Sequence, residues 1–307
     1  MANSRHQWLA SPPYTNTCLA TVDLEEGEEV VTSYQEPTMC SLRRRKELEA
    51  GWYFSCSCHR CSSPTELATH LNTLVCPSCH LPSLLPSNPS RQEEEWRCAC
   101  HHTLPGTEAA TLVTTLMGRI SRLAREDRYN TPAWLALDEE VVAVVHPQHE
   151  ARYEVAKWLV PILARAPGAS TSSFPLEMVQ RKVELAEVMV AVLEVVEPGY
   201  SKSRAKAVYE MVETKLHLAF TTSNSPKEEL NSLLESSITY LEDVCDVFEK
   251  LGANKGFEEV MAAAASNLVV RCGLVVAGGE AGGEAGKQGW DLMALARWSQ
   301  PTSTNIH

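Results

Sequence analysis

Seven of the eleven cysteines in this 307-residue chain fall between residues 56 and 100, and this crowding limits what the chain can fold into. They are Cys56, Cys58, Cys61, Cys76, Cys79, Cys98 and Cys100. Pro82, Pro86, Pro89 and Pro105 interrupt residues 56–105, whose apolar positions follow neither a helical nor a strand period. Such a segment has too few apolar residues for a core of its own, so bound metal is its expected staple.

The remaining sequence agrees with a reducing environment. The N-terminal run MANSRHQWLASPPY has no apolar stretch of the signal-peptide kind. No segment reads as the ~18–20 apolar residues of a membrane span. An intracellular site, cytoplasm or nucleus, is expected, with no membrane partner. There, clustered cysteines are metal ligands rather than disulfides. The net charge is −12, divided as −4 through Pro105 and −8 beyond it. That balance argues against direct nucleic-acid binding, which needs a basic field. The run Arg43-Arg44-Arg45-Lys46 is short and reads as a solvated helix face, and Glu93-Glu94-Glu95 puts acid beside the cysteines.

Cys56-x-Cys58-x2-Cys61 supplies three of the four ligands of a tetrahedral zinc. The fourth is open among His59, Cys40, Cys18 and a residue outside this chain. The second cluster is Cys76-x2-Cys79, an 18-residue gap, then Cys98-Ala99-Cys100-His101-His102. Two knuckles at this separation signal a zinc ribbon. Cys98 with His101 keeps the x2 spacing, so Cys76, Cys79, Cys98 and His101 are the favoured ligands, with Cys100 as substitute. Metal-free thiols are the alternative for both clusters. A cysteine site with all its ligands leaves no open position for water, so neither cluster reads as catalytic.

Strands are expected at Thr17–Val22 and Glu29–Tyr34, and a short helix from Ser41, as its N-cap, to Leu48. From Thr107 the pattern turns helical. Leu176, Val179, Val183, Ala186, Val190 and Leu193 fall on one face. Ala205, Val208, Val212, Leu216 and Ala219 form a second stripe, and Leu230, Leu234, Ile238, Leu241, Cys245 and Phe248 a third. Ser225-Pro226-Lys227-Glu228 reads as a capping box, and Pro198-Gly199 as a helix end. Further stripes at 108–125, 133–145, 150–164 and 257–272 bring the expectation to about seven helices. Residues 166–174 read as a loop and AGGEAGGEAG (277–286) as a flexible tether. The architecture is tetratricopeptide-like, without a 34-residue period.

Gly27-Glu28-Glu29, a segment ending in Tyr34, Arg43-Arg44-x3-Leu48 and Tyr53-Phe54-x-Cys56-x-Cys58-x2-Cys61 together resemble the SMYD type of SET-domain protein-lysine methyltransferase. The added ribbon, with Cys76-Pro77-x-Cys79 and Trp96-x-Cys98, is similar to the arthropod SmydA subgroup. The resemblance implies a mostly α chain. Residues 1–55 would be the C-terminal end of a SET domain with its partial β-segment. A post-SET zinc segment and zinc ribbon would follow at 56–105, a tetratricopeptide-like helical domain at 106–275, and a flexible tail at 276–307.

It also implies Zn2+, S-adenosylmethionine and a protein substrate or partner, a histone among the candidates. Tyr34 matches the tyrosine at the methyl-transfer point, Phe54 an aromatic packed on the cofactor, and Trp52 a wall of the lysine channel. A narrow aromatic channel would desolvate a lysine and align it on a sulfonium methyl. Met1-Ala2-Asn3 resembles the end of the family's Asn-His-Ser-Cys-x-Pro-Asn motif, which makes Asn3 a cofactor contact. The chain is then expected to be the C-terminal portion of a longer protein, with little turnover alone. The alternative is a non-catalytic, zinc-stabilised interaction scaffold.

Overall fold

The computed structural model describes residues 3–8, 14–91, 93–163, 175–222, 226–252 and 256–276. The expected loop at 166–174, the tether from 277 and the capping residue Ser225 lie outside them. The described chain divides into two compact units, Met1–Ile162 with Val188–Gly199, and Leu163–Glu187 with Tyr200–His307.

In the first unit, β1 (Ser4–Trp8) pairs antiparallel with β2 (Asn16–Ala20), Ser4 opposite Ala20. The expected strand at Glu29–Tyr34 does not form. The Asn3 and Ser4 amides both donate to the Val31 carbonyl, at 3.0 and 3.2 Å. One carbonyl shared by two donors cannot propagate a ladder. The Asn3 side chain fixes the segment instead, donating to Glu29 O at 2.9 Å and accepting from Val31 N at 2.8 Å.

Helix α1 (Ser41–Trp52) runs four residues past the expected Leu48 and ends at Tyr53, whose φ of +58° reverses the chain. Its N-cap position is Cys40, not Ser41, and no side chain at that position caps it. Two distant carboxylates do so. Glu66 Oε1 accepts from Ser41 N at 2.6 Å, and Glu150 Oε2 accepts from Cys40 N at 3.2 Å. Both satisfy donors that every helix start leaves orphaned, at its positive end.

After the short α2 (His59–Ser62), residues 74–105 form the ribbon. Strands β3 (Leu85–Pro86), β4 (Glu95–Arg97) and β5 (Thr103–Pro105) make a three-stranded antiparallel sheet in that order. Trp96, fully buried, anchors its centre opposite Pro86 and Leu104. Three backbone bonds join the ribbon's entry to the loop before α5: Val75 N to Val144 O, His146 N to Thr73 O, and Glu150 N to Leu71 O.

All seven helical stripes are helices: α3 (Gly106–Glu126), α4 (Thr131–Val142), α5 (Glu150–Leu163), α6 (Leu176–Val196), α7 (Lys202–Thr222), α8 (Lys227–Leu251) and α9 (Phe257–Val276). Trp134 of α4, fully buried, stacks on Trp158 of α5 at 6.2 Å. In the second unit α7 packs on α8 and α8 on α9. The buried face of α8 is Leu234, Ser237, Leu241, Val244, Val247, Phe248 and Leu251, rotated from the expected stripe so that Val244 replaces Cys245 inside. Pro226 holds the N-cap position of α8.

Helix α9 corrects the sequence reading in one respect. By length and composition it is apolar enough to cross a membrane, with a mean hydropathy of 1.5. Its buried Glu258 binds Lys202 at 3.1 Å and Lys206 at 2.6 Å, both on α7.

Candidate metal centres and an adjoining aromatic cavity

The ribbon brings four thiols together. The sulfurs of Cys76, Cys79, Cys98 and Cys100 all lie within 4.8 Å of one another, with Cys76–Cys100 and Cys79–Cys98 each at 3.6 Å. A tetrahedral zinc with sulfurs at ~2.3 Å has sulfur–sulfur edges of about 3.8 Å, so the donor set fits that ion. His101 is not in this group. Its place is structural: with φ +69° it closes the second knuckle, its amide donating to Cys98 O at 3.0 Å. His80 does the same after the first knuckle, with φ +59° and its amide on Cys76 O at 2.9 Å. That parallel was present in the sequence, since each histidine follows the second cysteine of its knuckle. The Cys100 amide and the Ser83 hydroxyl, 3.1 Å away, draw the Cys98 thiol down to about 6. A thiol so placed is prepared to bind as thiolate.

The sulfurs of Cys56, Cys58 and Cys61 also lie within 4.8 Å of one another. His59, Cys40 and Cys18 do not join them. Cys40 is fully buried, while Cys18 is exposed on β2. Cys58 is lowered to about 4, chiefly by a hydrogen bond from the Cys61 thiol, which is correspondingly raised. The Cys61 thiol is thus directed at the Cys58 sulfur, and a metal ion bound there would displace the protons of both.

Beside this cluster lies a cavity of about 550 Å3. Ligand clefts span roughly 300–1,000 Å3. Asn3, Glu28, Glu29, Tyr34, Phe54 and Arg44 are among its lining residues, together with all three cysteines of the cluster. Tyr34 meets Trp52 edge to face at 5.0 Å and Phe54 at 5.6 Å, with interplanar angles of 82° and 76°. The three residues named from the sequence therefore do converge, held by the αL turn at Tyr53 that ends α1. They meet at an open corner rather than a closed channel: Tyr34 is 56% exposed, Trp52 54% and Phe54 40%. Asn3 lines the cavity, but its amide is occupied by the 28–31 segment.

Sequence reasoning missed three groups that build this site. Glu66, Glu150 and Arg60 gave no local signal, because their partners lie up to 110 residues away.

No family model matches the chain. Over 114 residues, 35% of this chain and 25% of the relative, it is 29% identical to the SET domain-containing protein SmydA-8, isoform B, of Drosophila melanogaster. Over 42 residues, 14% of this chain and 9% of the relative, it is 45% identical to the histone-lysine N-methyltransferase SET5 of Meyerozyma guilliermondii. The chain spans a quarter or less of the length of these relatives. The similarity supports a distant relationship to SET-domain proteins.

Proposed function

We propose that this chain is a SET-type protein-lysine N-methyltransferase module that binds S-adenosylmethionine in the cavity beside the three-cysteine centre, with Zn2+ at both clusters. The observation that carries this reading is that Tyr34 and Phe54 line the cavity, with Trp52 packed edge to face on Tyr34. The bound cofactor supplies an electrophilic methyl group on a sulfonium. Aromatic faces attract a cation within ~6 Å of a ring centroid, which suits a sulfonium, while the acceptor lysine reacts as the neutral amine once its proton has passed to water. Phe54, in the cavity wall, would pack on the cofactor, and the Tyr34 hydroxyl would hold the acceptor amine. Trp52, packed on Tyr34, would wall the lysine. Asn3 acts by shaping the wall through its bonds to residues 29 and 31.

The partner is a protein that presents a lysine inside the cell, a histone among the candidates. Water reaches the open corner, which withholds the desolvation that methyl transfer exploits, so turnover by this chain alone is small. Helices α3–α9 are read as tetratricopeptide-like hairpins. Calorimetric titration of S-adenosylmethionine into the zinc-loaded chain tests the proposal. Micromolar binding that Phe54→Ala weakens at least tenfold supports it, and no binding by a folded chain refutes it.

A second reading, a non-catalytic scaffold, is favoured by Val270 and Leu274 on α9, 62% and 63% exposed. A protein ligand whose binding is lost in Val270→Glu, in a chain that takes up no S-adenosylmethionine, would select it.

A further inference from the structure

The three-cysteine centre lies against a buried group of charges that the proposed chemistry does not use. Arg44 and Arg60, both buried, reach the fully buried Glu66. Arg44 Nη1 donates to Glu66 Oε2 at 2.8 Å, and Arg60 Nε donates to the same oxygen at 3.2 Å. Two guanidiniums on one carboxylate leave one positive charge in surplus. The second Arg44 nitrogen, Nη2, donates to Cys61 Sγ at 3.4 Å. Arg45 holds the same cysteine from its backbone side, with Nη2 on Cys61 O and Nη1 on Ser55 Oγ, both at 3.0 Å. Arg60 lies within the cysteine run and is anchored on Pro37 O at 2.6 Å and Met39 O at 3.3 Å.

A surplus charge inside a protein is costly unless an opposite charge meets it. Three thiolates around one divalent ion carry one surplus negative charge. With the buried Arg45 on the Cys61 carbonyl, the three guanidiniums and Glu66 carry a net positive charge, which a three-thiolate metal centre of net negative charge offsets in part. The contact between them runs through Arg44 and Cys61. Such outer contacts fix a ligand's orientation, and their loss typically weakens metal binding about 10–100-fold.

We propose that Arg44 is a positioning residue for the three-cysteine centre, its guanidinium supplying at Cys61 Sγ the counter-charge that lets three thiolates hold a divalent ion. The inference rests on reading that cluster as a metal site. The ribbon cluster in the same chain is an internal control, because among the described residues its sulfurs meet one another and the Ser83 hydroxyl rather than an arginine.

The test is titration of the full chain with Co2+, read by its thiolate charge-transfer absorption, followed by competition with Zn2+. The native chain is expected to take up two ions. Arg44→Met is expected to weaken the first-cluster ion by about 10–100-fold and leave the ribbon ion unchanged. Arg44→Lys, which keeps the charge but loses the fork between Glu66 and Cys61, is expected to weaken the first-cluster ion by less than Arg44→Met does. Two ions bound by Arg44→Met with native affinity overturn the proposal alone. A native chain that takes up only the ribbon ion overturns it together with the reading it rests on. Should Arg44→Met fail to fold, which loss of the ribbon ion reveals, Arg44→Gln decides. There, native affinity at the first cluster overturns the proposal.

Discussion

Lowering the pH from 7 to 5 should destabilise this protein through one histidine, His149. Its ring is fully buried at the start of α5. Nδ1 accepts the Ala151 amide at 3.0 Å, and Nε2 has no hydrogen-bond partner among the described residues. Protonation would place a charge in a site closed to water and put a proton on the atom that caps the helix. Burial, with a smaller contribution from His146, lowers its pKa to about 3.

The sign follows from linkage. The unfolded chain takes up a proton near the ordinary pKa of ~6.5, while the folded chain does not until about 3. Stability is therefore fully present above 6.5 and is lost as pH falls toward 3. One pKa unit is ~1.36 kcal/mol, so the loss at pH 5 is about 2 kcal/mol. For a body of 150–250 residues that is roughly 4–8 °C in Tm. His146, stacked on His70 at 4.3 Å and likewise lowered to about 4, is only half-buried and adds less.

The assay compares native protein with His149→Asn, each unfolded by urea at pH 7 and pH 5. Asparagine caps a helix start but does not titrate. Any metal released by acid is common to both proteins, so the difference isolates the histidine. The native chain should lose about 2 kcal/mol more than the variant. Equal losses in the two proteins would refute the reasoning.

Other substitutions separate the roles assigned above. Cys100→Ala should weaken zinc binding at the ribbon by on the order of 100-fold or more, the loss of a direct ligand exceeding that of an outer contact. His101→Asn, tolerated in the left-handed turn, should leave binding unchanged; competition with a chromophoric chelator measures both. At Gly199, where φ is +72°, an added Cβ would lie 1.7 Å from the Thr21 carbonyl oxygen. Gly199→Ala should therefore cost more than ~3 kcal/mol in urea unfolding. Gly118→Ala, in the exposed interior of α3 with open space around it, should stabilise by roughly 0.5–1 kcal/mol. Lys182, buried on α6, binds Glu210 at 2.7 Å and Glu213 at 3.4 Å, both on α7. Lys182→Met strands two carboxylates and should cost about 3–5 kcal/mol at pH 7. The deficit should shrink at pH 5, because burial already raises the Glu213 pKa.

The features legible in the sequence are those whose cause lies within a few residues or a fixed spacing. The seven helices follow from a 3.6-residue period, and the knuckles from cysteines spaced to converge on one ion. The convergence of Tyr34, Trp52 and Phe54 was legible only through the family resemblance. Tertiary structure decided the rest. Whether residues 29–34 pair as a strand depended on Asn3, which spends its side chain on that backbone. The choice of Cys100 over His101 depended on which of two adjacent residues takes the left-handed turn. The first compact unit takes the second half of α6 and the other its first half, a division invisible to a periodicity that runs unbroken along the helix. The α1 start is satisfied by Glu66 and Glu150, which lie 25 and 110 residues from the amides they accept. A carboxylate destined for such a place looks like any surface glutamate in the sequence. Only the packing that removes it from water makes its partner obligatory.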